Sequence, residues 1–257
     1  MKPLWTIIAA LGLAPAAAVP AATQPWPPND PGRPQPPRVA VAQAVLGLPP
    51  PPDAVVLYDG HGLGQWNLAA DPRGGWHQSG GRMLAGGKVF NWLFTRRRFG
   101  SVQVHVEFRE PSPPQGEGQE RGNSGVRLMG VYEIQILDAD HNATYADGLP
   151  GAVYGQTPPA VLPVMAPGRW QSLDILFDAP RFRGRKLLRP PYVTVLLDGV
   201  VVQDHQRIFG DTSAHKIPLG YLTRAERGPI GLQDHGQASS LVAFRNIWVR
   251  PLDPSAR

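Results

Sequence analysis

Val193-Thr194-Val195-Leu196-Leu197-Asp198-Gly199-Val200-Val201-Val202 places two apolar, largely β-branched runs around an Asp-Gly pair. A type I′ turn needs positive φ at both central residues, which Asp and Gly tolerate, so the stretch predicts a β-hairpin. Outward from it, strand signals recur at residues 55–57, 82–84, 102–109, 125–129, 132–137, 170–177, 192–197, 200–203, 230–233 and 241–249, with turn residues between them. The pattern is all-β and antiparallel. With 30 Pro and 29 Gly in 257 residues, long helices are not expected, while 42% hydrophobic residues suffice for one packed core.

Alternation assigns faces. Over 102–109, Val102, Val104, Val106 and Phe108 fall on one side and His105, Glu107 and Arg109 on the other. Over 132–137, Tyr132, Ile134 and Ile136 oppose Glu133, Gln135 and Leu137. A sheet with an apolar inner face and such an outer face can floor a groove. Glu133 and Gln135 point the same way ~7 Å apart, a spacing that a sugar ring bridges; the alternative is an ordinary solvated polar face. Arg127 beside them can steady an oxyanion or form a plain ion pair.

Leu232-Gln233-Asp234-His235-Gly236 packs an amide, a carboxylate and an imidazole into three consecutive residues at a strand end. His235 is the candidate proton carrier because imidazole titrates near neutral pH. Asp234 helps it only if the turn bends, since consecutive strand residues point oppositely, and the whole stretch serves equally well to satisfy backbone groups. In Gly122-Asn123-Ser124-Gly125, Ser124 lacks the nucleophile elbow because Val126 stands where glycine is needed, which disfavours a serine hydrolase. Asn123 offers its amide to a ligand. Asp138 with Asp140 lacks the further oxygen ligands of a calcium loop, and Asp138 counts instead as a sugar-binding candidate. Tyr145, Tyr154, Trp76 and Trp92 are either stacking platforms for a sugar or core plugs. His61, His77, His141, His205 and His215 show no metal-ligand spacing, and no metal ligands or cofactor are assigned; a divalent metal stays open.

Zero cysteines exclude disulfides, thiol nucleophiles and thiolate metal sites. The net charge of +5 comes largely from Arg96-Arg97-Arg98 and residues 181–189, a solvated basic surface rather than a nucleic-acid stripe. Residues 1–22 carry Lys2, an apolar stretch over 4–14 and small residues for cleavage, the pattern of a signal peptide. That stretch is too short to cross ~30 Å of hydrocarbon, so the expectation is an exported protein, periplasmic or secreted, without a membrane span after cleavage. Residues 23–53 read as a Pro-rich, poorly packed tether with room for a short helix over 39–48, residues 54–252 as the folded domain, and 253–257 as a tail.

Seven segments in one order resemble the 3-keto-disaccharide hydrolase family: Leu57-Tyr58-Asp59-Gly60, Gly122-Asn123-Ser124-Gly125-Val126, Tyr132-Glu133-Ile134-Gln135-Ile136-Leu137-Asp138, Gly151-Ala152-Val153-Tyr154, Pro167-Gly168-Arg169-Trp170-Gln171, the 232–236 stretch, and Phe244-Arg245-Asn246-Ile247-Trp248. The resemblance implies a concanavalin-like or LamG-like antiparallel β-sandwich (jelly roll) with a carbohydrate groove. It also implies cleavage of glycosides already oxidised to a ketone at carbon 3, with Glu133, Gln135, Asp234 and His235 as site residues. The Arg96–98 run, the basic insert at 181–189 and the long Pro-rich segment depart from the pattern, which bears on specificity. On this basis His235 or Glu133 is the expected base, with Asp234 its partner and Arg127, Asn123 or a metal stabilising the enolate; Gln135, Gln233, Tyr154 and Asp138 would hold the sugar. Two rivals use the same sandwich: a non-catalytic carbohydrate-binding module, and a polysaccharide hydrolase that pairs Glu107 with Glu133.

Overall fold

The computed structural model describes residues 26–70, 75–212 and 220–253. The expected signal peptide over 1–22, residues 254–257 of the tail and His215 lie outside the described residues. In chain order the strands are β1 (Arg38–Ala40), β2 (Val55–Tyr58), β3 (His77–Ser79), β4 (Arg82–Leu84), β5 (Asn91–Phe99), β6 (Val102–Arg109), β7 (Ser124–Leu128), β8 (Tyr132–Ile136), β9 (Leu162–Val164), β10 (Gln171–Asp178), β11 (Arg181–Arg183), β12 (Lys186–Arg189), β13 (Tyr192–Leu197), β14 (Val200–Arg207), β15 (Gly228–Asp234) and β16 (Ala243–Pro251). Among the described residues the only helical pieces are short 3₁₀ turns, and no helix is long and apolar enough to cross a membrane.

Two sheets form the sandwich. The larger runs β14-β13-β10-β6-β16-β4-β3, with β2 also on β16, and the smaller runs β5-β15-β7-β8. Their pairings are antiparallel. Val104, Val106, Phe108, Leu173 and Ile175 from the first sheet meet Leu93, Val126, Leu128, Ile134, Ile136 and Leu232 from the second, all fully buried in one cluster. On β6 and β8 these are the alternate positions expected to face inward. The β13–β14 hairpin has Asp198 at φ 51 and Gly199 at φ 81, the positive pair that a type I′ turn demands.

Residues 26–53 depart from the expected loose tether and short helix. β1 pairs in parallel with β9, and Arg33, Gln35 and Arg38 donate to the carbonyls of Gln156, Thr144 and Ala139. A Pro-rich segment is already extended, so it loses little entropy on docking, whereas a helix of two or three turns has too few hydrogen bonds to nucleate. Further along this strap, residues 44–48 cover the outer face of β6. The Gly47 N–H donates to Glu107 Oε1 at 2.6 Å, and Asn246 Nδ2 reaches both Leu48 O (3.1 Å) and Glu107 Oε1 (2.9 Å). His105 and Glu107, expected on an open polar face, are therefore buried. The basic insert folds as a separate hairpin of β11 and β12.

Candidate active site

The outer face of the four-stranded sheet collects the candidates. Register sets Phe94, Gly231, Arg127 and Glu133 in one row across β5, β15, β7 and β8. Trp92, Gln233, Gly125 and Gln135 form the next row. Residues 151–154 extend both rows along the free edge of β8, because Val153 bridges Ile134 and the Tyr154 N–H donates to Glu133 O at 3.1 Å. Tyr154 thereby stands beside Glu133 on the same face.

Two glycines make room for the side chains. A Cβ on Gly125 would lie 2.8 Å from Glu133 Oε1, and one on Gly231 would lie 2.6 Å from the Phe94 ring. Into this clearing Glu133 lays its carboxyl group, 4% exposed, with Oε2 3.2 Å from Arg127 Nη2 and Oε1 accepting from Gln233 Nε2 at 3.2 Å. The Arg127 guanidinium lies 3.9 Å over the Trp92 ring, which fixes it by a cation–π contact. Burial pushes the Glu133 pKa above its ordinary value, and Arg127 and Gln233 only partly offset that. An amide network adjoins the carboxyl: Gln135 Nε2 donates to Asn123 Oδ1 (3.2 Å) and Gln119 Oε1 (3.1 Å), and Asn123 Nδ2 donates to Gln119 O (2.6 Å). Gln135 Oε1 and Gln233 Oε1 are buried without a partner, two acceptors aligned on one face for ligand hydroxyls.

His235 lies two residues beyond Gln233, with its ring edge-on to Phe90 at 5.8 Å. Its Nδ1 is buried without a partner, and burial lowers its pKa, which favours the neutral imidazole. The charged groups that act on it are Glu120 and Asp234, and Glu133 is not among them. Asp234 is a correction. It points to the opposite side of β15 from Gln233, where Oδ2 accepts from the Gly86 and Gly87 N–H groups and Oδ1 from the Gly236 N–H. With three backbone donors on its carboxylate, Asp234 holds the turn and acts on His235 through its charge rather than through a hydrogen bond. Asp138 is a second correction, because its oxygens are taken by Arg121 Nε (2.7 Å) and the Asp140 N–H (3.0 Å) rather than left for a sugar.

Trp76 proves to be a core plug against Phe244, whereas Trp92 carries the Arg127 guanidinium on its ring. Glu107 and Glu133 lie on the outer faces of different sheets, on opposite sides of the sandwich, which removes the two-carboxylate hydrolase that would pair them. Gln119, and Thr212 whose Oγ1 accepts the Glu133 N–H at 3.0 Å, escaped the sequence because both sit in loops without periodicity. Among the described residues no group of three or more His, Asp or Glu side chains gathers in a metal-holding arrangement.

Comparison with known proteins gives a family model described as a 3-keto-alpha-glucoside-1,2-lyase-like domain, which matches residues 53–250. A crystal structure of a candidate glycosyl hydrolase from Parabacteroides distasonis ATCC 8503 is 35% identical, with a TM-score of 0.73 over 82% of this chain and 95% of that one. Two further candidate glycosyl hydrolases of the same organism share the fold. One is 21% identical (TM-score 0.56, 78% of this chain, 94% of that one) and the other 23% identical (TM-score 0.54, 77% and 99%). No curated protein matches the chain.

Proposed function

The chain belongs to the 3-keto-alpha-glucoside-1,2-lyase-like domain family, and on that premise we propose that it cleaves glycosides whose sugar carries a ketone at carbon 3. The ketone acidifies the proton on carbon 2. A base removes that proton, the enolate expels the group on carbon 1 as its C–O bond breaks, and water then adds across the new double bond. The single observation that carries this reading is the setting of Glu133: a buried carboxyl with a raised pKa, held by one guanidinium and one amide.

Glu133 is the base. Before the transfer its charge is balanced by Arg127, 3.2 Å away; afterwards the carboxyl is neutral and the same guanidinium faces the enolate, so no new charge has to be buried. The free oxygens of Gln135 and Gln233 accept from the sugar's hydroxyls. His235, farther along the face, contacts the neighbouring sugar.

A panel of 3-keto-glycosides and their unoxidised parents tests this. Release is expected from the keto forms alone, and Glu133→Gln should lower kcat at least ~100-fold. His235→Ala should act mainly on KM. A larger kcat loss in His235→Ala than in Glu133→Gln would transfer the role of base to His235, and sugar binding without any release would leave a binding module.

A further inference from the structure

The basic insert takes no part in the site above. Its five cations, Arg181, Arg183, Arg185, Lys186 and Arg189, come without an acidic residue among them and equal the +5 net charge of the whole chain, so the charge imbalance of the molecule is concentrated on one hairpin. The register of β11 and β12 sets Arg181 opposite Arg189 and Arg183 opposite Lys186, and like charges directly across a strand pair destabilise it. Among the described residues only Arg189 has a carboxylate partner, Asp178; the other four are exposed and have none. An anionic partner would relieve that repulsion.

The hairpin also shows an apolar side chain. Between its two cationic pairs the register slips by one residue, so that Phe182 faces Leu187 and Leu188 is left unpaired. Such a bulge re-aims a side chain, and Leu188 is 50% exposed with cations on either side in the pairing. Phe182 meets Tyr221 edge-on at 6.4 Å, which ties the hairpin to the body of the domain. Arg181, Arg183 and Leu188 line one hollow with Arg227, whose carbonyl accepts from Arg98 Nη2 at 2.8 Å, so the second basic run reaches the same place. Glu226 and Asp253 line it too, but Asp253 Oδ2 is taken by the Ser101 N–H at 2.9 Å.

We propose that the β11–β12 hairpin docks the protein on an anionic phospholipid surface, with its cations against the lipid phosphates and Leu188 beneath them at the acyl boundary. An acidic glycan or a nucleic acid matches the charge but offers no apolar layer to a half-exposed leucine, whereas a lipid leaflet supplies both. Export, expected from residues 1–22, brings such a leaflet within reach. Each cation at an anionic lipid surface strengthens the partition roughly fivefold, and salt screens the attraction. β11 and β12 pair only with each other, so docking leaves both sheets of the sandwich, and Glu133 with them, in place.

The chain has no cysteine, so Leu188→Cys takes a single label that reports on this position alone. The full-length Leu188→Cys protein, labelled with nitrobenzoxadiazole, should brighten at least ~2-fold on vesicles of equal parts phosphatidylglycerol and phosphatidylcholine, stay dim on pure phosphatidylcholine, and dim again in high salt. Adding Arg183→Gln, Arg185→Gln and Lys186→Gln should weaken the partition at least ~30-fold. The Tm of that variant should stay at the parent value, because the hairpin pairs only with itself, and this separates lost charge from lost fold. Anchoring by the amino end alone would leave the label dim. No brightening on the mixed vesicles, equal brightening on neutral ones, or brightening that survives the three substitutions overturns the proposal. Tighter binding to polygalacturonate than to the mixed vesicles would make the hairpin a glycan contact and overturn it as well.

Discussion

At the scale of single residues, Glu133 and Arg127 set the pH response. A base with a raised pKa works only when ionised, so kcat/KM should rise with pH through a value above the ordinary carboxylate range. Arg127 holds the Glu133 pKa down, and Arg127→Met should therefore move the acid limb to higher pH as well as slow turnover. An acid limb that stays in place would detach Glu133 from the rate. Gly125 makes a sharper case. The added methyl of Gly125→Ala meets the flexible end of Glu133 at 2.8 Å, so the carboxyl must swing aside while the fold is little strained. We expect a Tm close to wild type with kcat down by ~10-fold or more, measured side by side on one preparation.

At the scale of elements, two carboxylates move stability in opposite directions. Burial raises Asp198, in the β13–β14 turn, from 3.8 to about 6. The folded protein therefore holds that proton more tightly than the unfolded chain. Stability from this group is full below about pH 4 and declines as pH rises through 6. Asp198→Asn keeps the acceptor for the Ser172 N–H and tolerates φ 51, so it should stabilise the protein by about 1–3 kcal/mol at pH 7.5 and by nothing at pH 3.5 in urea melts. Glu107 is the reverse case. Burial pushes it up, but His105, Asn246, the Gly47 N–H and Arg245 outweigh this and hold it at about 2. Its contribution is present above the ordinary carboxylate value and is lost as pH falls toward 2. Glu107→Gln should free residues 44–48 at neutral pH, read as faster amide exchange at Gly47, and slow exchange there would refute the anchoring role.

The β13–β14 hairpin was legible because its turn chemistry is local. β5 was not, although Trp92-Leu93-Phe94-Thr95 has strand-forming residues, because Arg96-Arg97-Arg98 breaks the alternation. The strap was misread for another reason: what fixes Asn29 and Arg33 lies 118 and 123 residues away in sequence, beyond the reach of any local pattern.

At the scale of the whole molecule, export is the expectation from residues 1–22. Expression in a bacterial host should yield a periplasmic or secreted protein whose first residue, by N-terminal sequencing, falls between about 17 and 25; an intact Met1 in the cytosol would refute it. The grouping of the site was partly readable here. Alternation along β8 gave Glu133 and Gln135 a common face, and the 232–236 stretch supplied Gln233. Alternation already set Asp234 opposite Gln233 unless the turn bends, but only the turn at Gly86 and Gly87 shows what its carboxylate serves.

β15 enters the small sheet between β5 and β7, though it begins 129 residues after the end of β5 and 100 after the end of β7. Until residues 228–234 have been made and threaded into that slot, Trp92 and Glu133 belong to separate halves of an unfinished floor. A polypeptide emerging amino end first therefore stays chemically silent almost to its last strand, and any fragment ending short of Gly228 should be inert however well the rest has collapsed.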